Sequence, residues 1–218
     1  MGTEKYTIAF HEAAHATMSI IKGYTVLELK IHDEPSTDGI AGHCRYIAPD
    51  NWLNEAWITL AGPVATALHH GRKERATFTY QDDRDHKKCR NLFLKFLNPE
   101  VPSELLPFLT EDMPTTVECI LEGHYPEGVS GTLKGKLTRF SKLYGKTLKQ
   151  VDKLLWHETS QVRDFIGRNP DYMPLTYHIA DELFIKGKMD QHDVRLSLRE
   201  FLNQQGIKNA QTKQSIAA

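Results

Sequence analysis

The chain has 218 residues, 40% hydrophobic and 25% charged, with a formal net charge of −1. Such a composition fits one globular domain with a helical extension, and its near-neutrality argues against both a nucleic-acid partner and disorder. Cys44, Cys89 and Cys119 are widely spaced and form no Cys-x-x-Cys pair, so neither a disulfide framework nor a zinc ribbon is indicated and reduced thiols in a cytoplasmic compartment fit best.

The first predicted element is a helix over residues 3–21, with Gly23 as its stop. It carries His11-Glu12-Ala13-Ala14-His15 inside the apolar run from Ile8 to Met18. Residues four apart share a helix face, so His11 and His15 can offer two imidazole nitrogens to one metal ion, for which Zn²⁺ is the best match. Glu12 stands beside the first ligand, placed to act as general base toward a metal-activated water. With 11 histidines in the chain, chance would produce this spacing about 0.03 times. A solvated helix that merely carries two histidines is the alternative; the apolar flanks read instead as buried, where unpaired imidazoles are costly.

Val26 to His32 alternates as a half-buried strand, 33–39 is turn material, and 40–47 reads as a returning strand closed by Pro49. Residues 51–71 return to helical spacing, with Trp52, Trp57, Leu60, Ala61, Val64, Ala65 and Leu68 as the buried stripe. A polar stretch over 77–84 leads into a helix over 82–96. Residues 98–135, rich in proline and glycine, read as an irregular or mobile segment. Helical patterns resume at Leu137. The chain thus divides into a zinc-binding core over 1–97, the irregular segment over 98–135, a helical C-terminal part of the same domain over 136–208, and a frayed tail over 209–218. Gly145-Lys146-Thr147 is no phosphate loop, because Phe140 stands where that motif requires glycine.

Catalytic zinc takes three protein ligands and keeps one position for water. Glu55 and the cluster Asp82-Asp83-Arg84-Asp85 compete for the third place. Residue types and spacing leave that choice open, and Asp85 could instead cap the helix that begins beside it.

The order of features resembles the peptidase domain of the FtsH family of ATP-dependent zinc proteases. Ala9-Phe10-His11-Glu12-Ala13-Ala14-His15-Ala16 is similar to that family's helix motif, with Ala14 in place of a glycine. Gly39-Ile40-Ala41-Gly42 running to Ile47-Ala48-Pro49, and Leu60-Ala61-Gly62-Pro63-Val64-Ala65, resemble its next strand and helix. Asp83-Arg84-Asp85-His86 sits where the family has its zinc-binding aspartate, which the resemblance places on Asp85. Residues 162–198 resemble the closing helices more faintly, and 98–135 have no aligned counterpart.

The resemblance implies a zincin-like, mainly α fold (α+β), with a small antiparallel sheet or hairpin beside the metal helix. It implies one Zn²⁺ per chain on His11, His15 and Asp85, with Glu12 as catalytic base in a zinc endopeptidase. No ATPase module is read in the chain, so the expected substrates are unfolded chains, flexible termini or peptides, unless a separate ATPase docks on it. Hexamers are the family's arrangement, but they lean on that module. The alternatives are a zinc-stapled binding protein, inhibitor or adaptor of a ring protease, and a zinc hydrolase of a non-peptide amide. No membrane span or signal peptide is predicted. The basic groups around Lys87 and Lys136 read as solvated helix faces.

Overall fold

The computed structural model describes residues 2–32, 41–48, 51–71, 84–97, 100–109 and 113–216. Its helices are α1 (Gly2–Ile21), α2 (Trp52–His69), α3 (Arg84–Leu97), α4 (Met113–Leu121), α5 (Gly131–Arg168), α6 (Tyr172–Lys186) and α7 (Gln191–Ile216). Strands β1 (Val26–Ile31), β2 (Gly42–Tyr46) and β3 (Lys188–Asp190) form one antiparallel sheet in the order β2-β1-β3. The fold is mainly helical with a small antiparallel sheet, as the sequence predicts. The turn expected over 33–39, together with Asp82 and Asp83, lies outside the described residues.

The chain forms two compact units, one of Met1–Lys87 with Glu158–Ala218 and one of Lys88–His157. In the first unit α1 is the central element, packed on α2, α6, β1 and β2. Its apolar residues Ala9, Phe10, Ala13, Ala14, Ala16 and Met18 are fully buried. The alanines allow close helix approach, and full burial of Phe10 or Met18 contributes about 1.5–3 kcal/mol each. The Tyr172 hydroxyl on α6 donates to the Ala14 carbonyl at 2.8 Å, and Thr176 Oγ1 donates to Thr17 Oγ1 at 3.1 Å. These bonds satisfy polar groups that would otherwise be costly in so dry an interface.

Helix α1 stops at Gly23, whose φ of +82° is left-handed. Tyr24 N–H reaches Ser19 O at 2.8 Å and Gly23 N–H reaches Ile20 O at 3.0 Å, the paired bonds of a Schellman ending. Helix α2 starts where Asn51 Oδ1 accepts from Leu53 N–H at 2.8 Å. The end of α5 joins the same unit through Glu158, whose Oε2 accepts from Trp57 Nε1 at 2.8 Å.

β1 is the middle strand. Opposite residues are Glu28 and Arg45, Leu29 and Cys44, Lys30 and His43, and Ile31 and Gly42. Leu29 and Ile31 are buried toward α1, whereas Glu28 and Lys30 lie on the other face. Strand alternation places His43 and Arg45 on that second face as well.

The second unit has its own core of Leu105, Val117, Ile120, Leu137, Phe140 and Tyr144. Within the stretch expected to be irregular, Ser103–Phe108 forms a 3-10 turn and Met113–Leu121 forms α4. Helix α5 starts at Gly131 and runs unbroken past Gly135, and the backbone of α7 continues through the expected tail to Ile216.

Candidate metal centre

His11 and His15 lie one turn apart on α1, and their rings meet edge-on with centroids 4.8 Å apart. Their Nε2 atoms are 3.1 Å from each other. Asp85, in the first turn of α3, brings Oδ2 to 2.9 Å from His11 Nε2 and 3.1 Å from His15 Nε2. The three atoms form a nearly equilateral triangle from segments far apart in sequence. Glu55, the rival third ligand, is not a member of this group.

Hydrogen bonds behind the two imidazoles define what they can do. His15 Nδ1 lies 2.7 Å from the Ile58 carbonyl on α2. A carbonyl can only accept, so Nδ1 carries a proton, and it is Nε2 that faces the triangle and would offer a lone pair once its own proton leaves. His11 Nδ1 lies 3.4 Å from Thr66 Oγ1, also on α2. One proton can satisfy only one edge of the triangle, whereas one cation satisfies all three corners.

The donor set fits a zinc ion. Two imidazoles and one carboxylate are ordinary catalytic zinc ligands, and tetrahedral bonds of about 2.0–2.1 Å separate ligand atoms by about 3.3 Å. The observed triangle is within a few tenths of an ångström of that. Space is reserved by Gly62: a Cβ there would lie 2.4 Å from His15 Nε2 and 2.7 Å from His11 Nε2. Helix α2 can approach the two imidazoles only because this position lacks a side chain.

The electrostatics couple these groups strongly. Burial works against charge on His15, but the adjacent Asp85 and Glu12 carboxylates raise its pKa to about 9. Burial likewise opposes ionisation of Asp85, yet His15 and His11 hold its carboxyl far below the usual carboxylate range. The α3 N-terminus also favours negative charge there.

Glu12 is buried beside this triangle. Desolvation pushes its pKa up, against the pull of His15 and His11. Its wall is β2: a Cβ on Gly42 would meet Glu12 Cγ at 2.9 Å and Ile8 Cγ2 at 2.8 Å. Gly42 and Gly62 thus let a strand and a helix close on the α1 motif from two sides. Sequence reasoning missed both as site residues, although Gly62 interrupts a helical apolar stripe, a visible cost of about 1 kcal/mol relative to alanine.

The remaining histidines distribute elsewhere. His43 is on the outer sheet face with Glu28, and His69 Nδ1 lies 2.8 Å from the Tyr177 hydroxyl. His86 is buried next to Asp85 in the chain. No helix among the described residues is long and apolar enough to cross a membrane. No protein-family model matches this chain, and no curated protein matches it.

Proposed function

We propose that the chain is a zinc-dependent endopeptidase of unfolded or flexible polypeptides, similar in its site to the FtsH peptidase. The observation that carries this reading is the triangle of His11 Nε2, His15 Nε2 and Asp85 Oδ2, 2.9–3.1 Å on each edge, with buried Glu12 beside it. Zinc held by these three residues would supply Lewis-acid activation of a water and polarisation of the scissile carbonyl. Glu12, made more basic by burial, accepts the water's proton and returns it to the leaving amine. Ile58 O and Thr66 Oγ1 keep both imidazoles aimed at the triangle.

The sheet limits where an extended substrate would add. Both edges of β1 are taken, by β2 and β3, so the proposed docking edge is that of β2 rather than 26–32. His32 N–H bonds Ala41 O at 2.8 Å. Counting along the register from this bonded pair, the amides of Gly42 and Cys44 point away from β1, toward the edge.

A purely structural zinc staple has no use for the buried carboxylate of Glu12, which favours hydrolysis over an adaptor role. Cys44, Cys89 and Cys119 form no disulfide, which supports a reducing, cytoplasmic setting. A separate ATPase partner and a hexameric ring follow only from the family resemblance and belong to the same proposal.

The test pairs zinc content with cleavage of unfolded casein for wild type, Glu12→Gln and Asp85→Ala. Support requires about one zinc and cleavage in wild type, retained zinc without cleavage in Glu12→Gln, and lost zinc in Asp85→Ala. Zinc-loaded wild type that cleaves no polypeptide, with or without an unfoldase, overturns the peptidase reading.

A further inference from the structure

The outer face of the sheet holds a second histidine constellation that the first site does not use. His32 Nε2, just past the end of β1, lies 3.1 Å from His43 Nδ1 on β2. The ring centroids are 5.2 Å apart at 44°. On its far side, His43 Nε2 lies 2.9 Å from Glu28 Oε1. We infer that His32 and His43 form a second, solvent-accessible site for a divalent transition metal such as Zn²⁺, with Glu28 as the carboxylate that orients His43.

Three observations carry the inference. The nitrogen separation of 3.1 Å equals that between the His11 and His15 Nε2 atoms, and is close to the span of two tetrahedral zinc ligands. Glu28 is an ionised acceptor, so His43 Nε2 must donate to it, which leaves the Nδ1 lone pair facing His32. A carboxylate behind an imidazole is the usual outer support of a metal-binding histidine, fixing its tautomer and raising its basicity. Glu28 is itself held in place: Lys188 Nζ on β3 is 2.6 Å from Oε2, and Arg45 is 3.7 Å from Oε1.

The site is open to solvent. The His43 side chain is 30% exposed, so water can complete the coordination of an ion bridging the two imidazoles. Without metal, His32 Nε2–H donates to His43 Nδ1. Metal entry requires only that the His32 proton move to its other ring nitrogen. Imidazole pairs favour zinc and copper over magnesium or calcium. A bound ion would tie the end of β1 to β2 one residue from Gly42, on the strand that walls Glu12.

The site does not rest on the peptidase reading, and its readout is metal alone. Protein stripped by a chelator is titrated with zinc chloride by calorimetry. A class of zinc site that His32→Ala and His43→Ala each remove, and that Asp85→Ala leaves in place, is the expected result. Glu28→Gln should weaken that class about 10–100-fold. Should an alanine variant fail to fold, ¹⁵N spectra of wild-type histidine rings replace it: zinc should shift the His32 and His43 nitrogens. Zinc classes unchanged by both histidine substitutions, or unshifted rings at saturating zinc, overturn the site.

Discussion

Gly62 stands against His15 so closely that a methyl group at its Cβ position would lie 2.4 Å from Nε2 and 2.6 Å from Cε1. One helical turn earlier on α2, the Ile58 carbonyl takes the proton of the same imidazole at 2.7 Å. Two successive turns of α2 therefore address one imidazole, the first by orienting it and the second by yielding space to it. Gly62→Ala should push the imidazoles off the triangle and cost about 1–3 kcal/mol through overpacking. The expected measurement is zinc content well below that of wild type with helical content retained. Full zinc loading in Gly62→Ala would mean that α2 does not constrain the site.

Glu12→Gln separates chemistry from binding. The amide keeps the shape of the side chain but cannot accept a proton in the first step. Hydrolysis should fall about 10²–10⁴-fold, the usual contribution of a positioned general base, while zinc content is unchanged. Residual cleavage within a few fold of wild type would remove Glu12 from the reaction.

In the proposed zinc site, metal and proton would compete for His15. Its pKa in the metal-free site is raised to about 9 despite burial, because Asp85 and Glu12 stand beside it. Near neutral pH the ring is therefore protonated before metal enters, and loading must displace that proton. Zinc affinity should tighten as pH rises toward 9, with about one proton released per ion from this ring. Calorimetry in buffers of different ionisation enthalpy reads that proton directly. A release of zero near neutrality would show that no protonated ligand yields to the metal.

The legibility of the site follows the range of the forces involved. His11, Glu12 and His15 are readable because an i, i+4 relation is local and needs no knowledge of the rest of the chain. Asp85 is different: it meets His15 across 70 residues, and nothing in its neighbourhood separates it from Glu55 except the family resemblance. Gly62 reads as a flaw in a helix until α1 is laid beside it. Lys188–Asp190 shows no pattern because three residues cannot establish a period of two, and β3 exists only by pairing with β1. Gly131 and Gly135 mark an irregular segment in the sequence, yet both lie in α5 with open space at their Cβ positions. Their helical penalty of about 1 kcal/mol each is offset by the core around Leu137, Phe140 and Tyr144.

Glu28 gives the sheet a pH dependence of definite sign. Lys188 first, and His43 next, hold its pKa down to about 2, below its value in an unfolded chain. A depressed carboxylate stabilises the fold above its unfolded pKa, and that stabilisation is lost as pH falls toward the folded pKa. The melting-temperature gap between wild type and Glu28→Gln should therefore be full near neutrality and close between about pH 4.5 and 2. The side chain is partly solvated, so the gap should also shrink with added salt. A gap that widens on acidification would contradict the network.

Cys44→Pro tests the proposed docking edge without removing a bond of the β1–β2 ladder. The Cys44 amide points away from β1 by the register, since the bonded partners of β1 are Ala41, His43 and Arg45. Proline is tolerated at edge positions whose N–H points away from the paired neighbouring strand. The β1–β2 pairing should survive, visible as unchanged amide protection at Lys30, and zinc content should stay near wild type. Cleavage of unfolded casein should fall mainly through a raised KM, because the bond removed is one that holds substrate rather than one made in the transition state. An unchanged KM with intact pairing would place the substrate on another surface, and a change confined to kcat would implicate the α1 face that Cys44 approaches instead of the edge.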